Sequence, residues 1–114
     1  MNYLVQMKLV ASGRPINAGD GPAFIEQYIL PTLELCRKLE SEKKILAGGP
    51  ISGTIGIVLL VQAKSARELD DLLTSLPVWP RMETEVTALT TFADREATVR
   101  TMLAEYHARM QKAA

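Results

Sequence analysis

Hydrophobic and polar residues alternate along the start of the chain, where residues 2–10 predict a strand. One face of this strand is apolar throughout and consists of Tyr3, Val5, Met7 and Leu9. The other face is mixed and consists of Leu4, Gln6, Lys8 and Val10. The segment therefore predicts a strand with one dry face and one mixed face.

A helix is predicted after a loop of turn-forming residues. Asp20 and Pro22 mark its start, because a proline in the first turn lacks only an N–H group that would have no partner there. An apolar stripe at helical spacing continues to about Glu42 and consists of Ile25, Ile29, Leu33, Cys36 and Leu39. Pro31 cannot donate to the carbonyl group of Gln27, so we expect a kink within this helix.

Two strands are predicted next. Residues 45–47 form a short strand, and Gly48, Gly49 and Pro50 then predict a turn, so we expect this strand at an edge of the sheet. Residues 54–63, TIGIVLLVQA, are apolar on both faces and rich in branched side chains. Such a segment is typical of an interior strand that is covered on both sides.

A second helix is predicted by the S-x-x-E capping box of Ser65 and Glu68. Leucines follow it at helical spacing, at positions 69, 72, 73 and 76. Residues 82–92 predict a fourth strand. Asp94 is expected to cap a last helix over residues 94–112, whose apolar positions are Val99, Met102, Leu103, Tyr106 and Met110.

The order of the predicted elements matches the split βαβ plan of ferredoxin-like α+β proteins, with an extra C-terminal helix. We predict a single domain over residues 1–114, with its core at 1–92. In this plan two helices cover one face of a four-stranded antiparallel sheet. Because the third strand is apolar on both faces, we expect a second copy of the chain to cover the other face and form a homodimer.

Composition narrows the class of protein. A chain of 114 residues, of which 47% are hydrophobic, can bury one core without a disulfide or a metal. Thirteen basic residues balance thirteen acidic residues, and no basic stripe is present, so nucleic acid is not an expected partner. The N-terminal residues predict neither a membrane span nor a leader segment.

Cysteine and histidine each occur once in the chain. Cys36 cannot form an internal disulfide, and its apolar neighbours predict a buried thiol in a reducing compartment, so we expect a cytoplasmic protein. One histidine and one cysteine do not supply a metal site of recognisable spacing. We therefore expect no metal.

Candidate chemistry lies on the predicted fourth strand, where Glu83 and Glu85 point to one face. Both are solvated or paired with a cation at a sheet edge, or one is a base inside a barrel, strengthened by desolvation and by its neighbour. Gln6 and Lys8 lie on the neighbouring first strand. They supply a hydrogen-bond donor and a counter-charge, or Lys8 forms a structural ion pair with one glutamate.

The loop before the fourth strand holds the remaining candidates. Pro77 and Pro80 stiffen it around Trp79. The indole is either a hydrophobic plug over the barrel end or a wall against which a flat substrate packs. Arg81 is the best available clamp for an anionic group.

A Leu-Pro-x-aromatic-Pro turn is followed here by a strand with an acidic residue before a Glu-Val pair. The pattern closes the segment of residues 53–89 and consists of Leu76, Pro77, Trp79, Pro80, Met82, Glu83, Glu85 and Val86. In these features the chain resembles the muconolactone Δ-isomerase family. The resemblance implies a dimeric α+β barrel, often assembled into a larger ring, that isomerises a small unsaturated lactone acid without a cofactor.

The first hypothesis for function is therefore an isomerase of aromatic compound catabolism that catalyses a proton shift in a small lactone or oxo acid. Its expected catalytic residues are Glu83, Glu85 and Lys8, and its expected substrate-binding residues are Trp79, Arg81 and Gln6. One alternative is a non-catalytic protein that binds a small ligand or assembles through the same barrel. Another is a cofactor-free monooxygenase of the wider barrel superfamily, which oxidises electron-rich phenols.

Overall fold

An antiparallel sheet of four strands forms the centre of the computed structural model, which describes residues 1–113. The strands are β1 (Asn2–Leu9), β2 (Ile45–Pro50), β3 (Gly56–Gln62) and β4 (Met82–Leu89), in the order β2-β3-β1-β4. The helices are α1 (Gly21–Phe24), α2 (Leu30–Ser41), α3 (Ala66–Thr74) and α4 (Phe92–Ala113). This arrangement confirms the predicted ferredoxin-like α+β fold with its extra C-terminal helix.

The two faces of the sheet differ as the alternation in β1 predicted. The core lies between one face and the helices, and its buried strand residues are Tyr3, Val5, Met7, Ile57, Leu59 and Val61. The opposite face, here named the open face, carries Leu4, Gln6, Lys8, Val58, Leu60, Glu83 and Glu85. Val58 and Leu60 are only half-buried there. The second cover that β3 predicts is therefore not supplied within the subunit.

The helix from Gly21 to Ser41, here named the first helix, is continuous but irregular. A π-helical segment, Ile25–Ile29, joins α1 to α2, and the N–H group of Leu30 donates to the carbonyl group of Ile25. Pro31 follows within the first turn of α2, so the irregularity expected at this proline takes the form of a π turn. The wider turn shifts the helical phase. As a result, Phe24 is buried, whereas Ile25 is 48% exposed. The prediction that Ile25 belongs to the apolar stripe is therefore wrong.

The predicted turn at residues 48–50 is wrong, because these residues belong to β2. Gly48 pairs with Leu59 and Pro50 with Ile57 after a register shift in the strand. Pro50 is tolerated because β2 lies at the predicted edge of the sheet. Gly48 has a φ of 127°, which explains why glycine is found inside this strand.

The N-terminal cap of α3 agrees with the prediction, and that of α4 does not. The side-chain oxygen of Ser65 accepts the N–H group of Glu68 at 3.2 Å, which confirms the predicted cap of α3. The expected cap at Asp94 is wrong, because β4 ends at Leu89 and α4 already begins at Phe92. Thr91 caps α4 instead, with its hydroxyl oxygen accepting the N–H group of Asp94 at 3.0 Å.

Helix α4 extends from the rest of the subunit and has no buried residue. The subunit is consequently elongated, with extents of 75 × 30 × 25 Å. The apolar positions predicted for this helix are between 48% and 69% exposed, and they are Val99, Met102, Leu103, Tyr106 and Met110. Among residues 1–113, no helix combines the length and the apolar character needed to cross a membrane.

A matched pair of substitutions tests the conformation of β2. In Gly48→Ala the added Cβ would lie against the carbonyl oxygen of Val58 at a φ that alanine rarely adopts. We expect the free energy of unfolding to fall by about 2 kcal/mol or more. Gly49→Ala meets no atom within 4 Å and should change it by less than about 1 kcal/mol. Urea denaturation measures both, and equal effects would contradict the strand register.

Cys36 is half-buried at the margin of the core rather than buried as predicted, and its thiol provides a pH-dependent test of the packing around it. Burial raises the pKa of Cys36, and the carboxylate of Glu40 adds to the shift. The fold thus favours the neutral thiol. The contribution of this group to the free energy of unfolding is fully present below the ordinary pKa of a thiol and is lost as the pH rises through the raised pKa.

Alkylation by iodoacetamide reports on this shift because the thiolate is the reactive species. We expect the native chain to react more slowly than the urea-unfolded chain at roughly pH 8. The native rate should still rise at a pH where the unfolded rate has levelled off. The same pH midpoint in both states would contradict the raised pKa.

Candidate functional site

Four polar side chains occupy neighbouring positions on the open face, where β1 runs beside β4. The antiparallel register pairs Lys8 with Glu83 and Gln6 with Glu85. Directly opposed residues in such a sheet share one face, with Cβ atoms about 4.5–5.5 Å apart. The register confirms that the two strands are neighbours as predicted. We name these four residues the β1–β4 quartet, and their catalytic role stays a prediction.

The quartet carries positive and negative charges and is mostly exposed to solvent. Lys8, Glu83 and Glu85 are exposed, and Gln6 is half-buried. Within residues 1–113, no ion pair shorter than 4.0 Å joins Lys8 to either glutamate, so the structural ion pair is not formed in the subunit. Two carboxylates that can accept a proton therefore lie beside an ammonium and an amide that can donate hydrogen bonds.

Arg81 lies on the side of the first helix, apart from the quartet. One guanidinium nitrogen donates to the carbonyl oxygen of Gly13 and the other terminal nitrogen to the hydroxyl of Tyr28, both at 3.3 Å. Its central carbon is 4.7 Å from the centroid of the Tyr28 ring and 6.0 Å from that of Phe24. Hydrogen bonds and cation–π contacts thus hold the guanidinium in one place.

Thr32 connects the first helix to the turn that carries Arg81. Its hydroxyl donates to the carbonyl oxygen of Tyr28 at 2.6 Å and accepts the N–H group of Val78 at 3.1 Å. Thr32 is buried, and Val78 directly precedes the 3-10 turn Trp79–Arg81. This buried hydroxyl therefore positions the turn against the part of the helix that Arg81 contacts.

Gly13 allows a second segment to approach Arg81. A Cβ atom at this position would lie against the backbone carbonyl group of Arg81. The 3-10 turn Ala11–Gly13 thus packs directly on the backbone before β4. This approach brings Ser12 and residues 14–17 to one side of the guanidinium.

A pocket of about 470 Å³ lies beside Arg81, and we name it the Arg81 pocket. Its other polar lining residues are Ser12, Arg14, Asn17, Asp20, Gln27 and Tyr28. Within residues 1–113, no carboxylate oxygen lies within 4.0 Å of a guanidinium nitrogen of Arg14 or Arg81. The pocket therefore offers cationic groups to a ligand rather than using them in internal ion pairs.

The six residues predicted for one site occupy different places. Four form the quartet and Arg81 lines its own pocket, whereas Trp79 lies outside that pocket and is 39% exposed. Sequence reasoning missed Phe24 and Tyr28, whose rings lie 5.5 Å apart. Their spacing of four residues on a helix was the available signal, but it was hidden because the π turn changes the helical phase.

The gathered side chains suit proton transfer and anion binding. The quartet offers two carboxylates, and the Arg81 pocket offers guanidinium groups. Among the described residues, no group of three or more His, Cys, Asp or Glu side chains is arranged to hold a metal ion.

Comparison with known proteins places most of the chain in one family. The family model described as muconolactone delta-isomerase matches residues 1–95. A crystal structure of muconolactone isomerase is similar, with 26% identity and a TM-score of 0.66 over 80% of this chain and 90% of that chain. Among the curated proteins no match was found.

A second solved structure shares the fold. It is the 5-chloro-2-hydroxyhydroquinone dehydrochlorinase of Burkholderia phenoliruptrix AC1100, in complex with 2,5-dihydroxybenzoquinone. The identity is 21% and the TM-score is 0.58, over 82% of this chain and 98% of that chain. Most of α4 lies beyond the matched residues 1–95.

Proposed function

This chain belongs to the muconolactone delta-isomerase family, and we propose that it catalyses a cofactor-free proton shift in a small unsaturated lactone or oxo acid. The observation that carries the proposal is the register of β1 and β4, which gathers two carboxylates, an ammonium and an amide on one face. A shift of a proton along a conjugated system requires these kinds of group and no oxidant.

The reaction begins when Glu83 or Glu85 takes a proton from the carbon next to the carbonyl group. The C–H electrons enter the conjugated system, and negative charge develops on the carbonyl oxygen. Lys8 or Gln6 donates a hydrogen bond to this oxygen and stabilises it. The protonated carboxyl group then returns the proton to a more distant carbon, which moves the double bond and restores the carbonyl group.

Enclosure is the further condition for this chemistry, because an exposed carboxylate is a weak base. We propose that a second copy of the chain covers the open face and removes water from the quartet. The apolar side chains of Val58 and Leu60 on that face support this homodimer, since each is only half-buried in one subunit. The apolar positions of α4 offer a further surface for a partner subunit and for a larger ring.

Trp79 and Arg81 have separate roles in the proposal. Trp79 is a plug over the barrel end or a wall for a flat substrate, and its partial exposure is compatible with both. Arg81 binds an anionic group in its own pocket. The same pocket supports a second candidate function, a non-catalytic protein that binds a small ligand.

Substitution of the two glutamates tests the proposed base. Glu83→Gln and Glu85→Gln keep the side-chain shape but remove the proton acceptor. One of them should slow isomerisation roughly a hundredfold to ten-thousandfold, and the other should have a smaller effect. The measurement is uptake of solvent deuterium, by NMR, at the carbon next to the carbonyl group of a β,γ-unsaturated lactone, from which the proposed base takes its proton.

Glu105→Gln is the matched control, because Glu105 is exposed on α4. This variant should exchange deuterium as fast as the wild type. The proposed base is wrong if both strand variants also do so. If the wild type exchanges deuterium into no lactone or oxo acid of a broad panel, the ligand-binding candidate replaces the isomerase.

Charges on the open face of β3 test the homodimer. Val58→Asp and Leu60→Asp should each abolish association, because burying an unpaired carboxylate in an apolar interface costs several kcal/mol. Ala66→Asp, at an exposed position of α3 on the opposite side of the sheet, should leave it intact. Sedimentation velocity at micromolar concentration measures the mass, and a wild-type chain that remained a 12.5 kDa monomer would contradict the dimer.

A further inference from the structure

We propose that the Arg81 pocket binds a small organic carboxylate with a flat apolar body, at a place separate from the quartet. The inference rests on the anion-binding role that the proposed function gives to Arg81, and it does not require the isomerase activity. Its basis is a guanidinium that is fixed in position, that has no carboxylate partner among the described residues, and that lines a pocket of about 470 Å³.

The position of the guanidinium leaves donors available for a ligand. Arg81 uses one terminal N–H group on Gly13 and one on Tyr28, and a guanidinium has five N–H groups in all. The central carbon lies 4.7 Å from the centroid of the Tyr28 ring, and this cation–π contact helps to hold the guanidinium. A planar donor fork that is held in advance suits the two oxygens of a carboxylate.

A second cation strengthens the preference for an anion. Arg14 lines the same pocket, and the one acidic residue among the lining residues is Asp20. The lining therefore carries two positive charges and one negative charge. Amide and hydroxyl groups of Asn17, Gln27 and Ser12 add hydrogen-bonding capacity around them.

Apolar residues of the same lining indicate the body of the ligand. Phe24, Pro15 and Ile16 line the pocket together with the ring of Tyr28. The volume of about 470 Å³ lies within the range of small-molecule sites. A ring or a conjugated chain that carries one carboxylate fits this combination better than a phosphate, which would leave the apolar residues unused.

Benzoate is the probe, and benzamide is its neutral counterpart of similar shape. Titration of the full chain, followed by NMR, should give shifts at residues 12–28 and at Arg81. We expect benzoate to bind at least about tenfold more tightly than benzamide, because a charge-assisted hydrogen bond is lost in the amide. Acetate and inorganic phosphate should bind more weakly than benzoate, since neither uses the apolar residues.

Two substitutions and a control locate the binding. Arg81→Gln should weaken benzoate binding roughly tenfold to a hundredfold, and Arg14→Gln should weaken it by a smaller factor. Arg67→Gln removes an exposed arginine of α3 outside the pocket and should have no effect. If Arg81→Gln fails to fold, Arg14→Gln and the comparison of benzoate with benzamide in the wild type still decide the question.

Three results would overturn the inference. Benzoate and benzamide binding equally would exclude recognition of the charge. Phosphate binding as tightly as benzoate would exclude a flat carboxylate as the preferred class. Shifts confined to the open face would place the ligand elsewhere, and none of these results would alter the deuterium exchange that tests the isomerase.

Discussion

The alternation of side chains along β1 is the constraint on which both faces of the sheet depend. Val5 and Met7 are fully buried against the helices, so Gln6 and Lys8, which alternate with them, must lie on the open face. A shift of one residue in the pairing with β4 would move Glu83 and Glu85 towards the core, where unpaired charges are costly. The core therefore specifies the geometry of the quartet, although its members form no ion pair with one another in the subunit.

The Arg81 pocket depends on a different constraint, the π turn before Pro31. This turn lets Phe24 become buried while Tyr28 lies under the guanidinium. The carbonyl oxygen of Tyr28 accepts the hydroxyl of Thr32, which in turn holds Val78. A proline that interrupts regular helix hydrogen bonds is thus accommodated by an arrangement that also positions the aromatic lining of a pocket.

Features governed by local periodicity could be predicted from the sequence. The four strands, the cap at Ser65 and the adjacency of β1 and β4 follow from alternation, hydrogen-bonding residues and element order. The course of β2 could not be predicted, because Gly48 and Pro50 have strong turn propensity and only pairing with β3 holds them extended. The Arg81 pocket could not be predicted either, because Gly13, Tyr28 and Arg81 are distant in sequence and meet only through tertiary packing.

The two candidate sites differ in what they require from a partner subunit. Every contact that orients Arg81 is made within one chain, so its pocket is already formed in a monomer. The quartet is exposed in a monomer, and the proton transfer proposed for it requires a second copy of the chain to exclude water. Helix α4 reinforces this dependence, because a 22-residue helix with exposed apolar positions and no buried residue gains most of its stability from packing. The proposed proton transfer at the quartet therefore depends on assembly, whereas the proposed carboxylate binding at Arg81 does not.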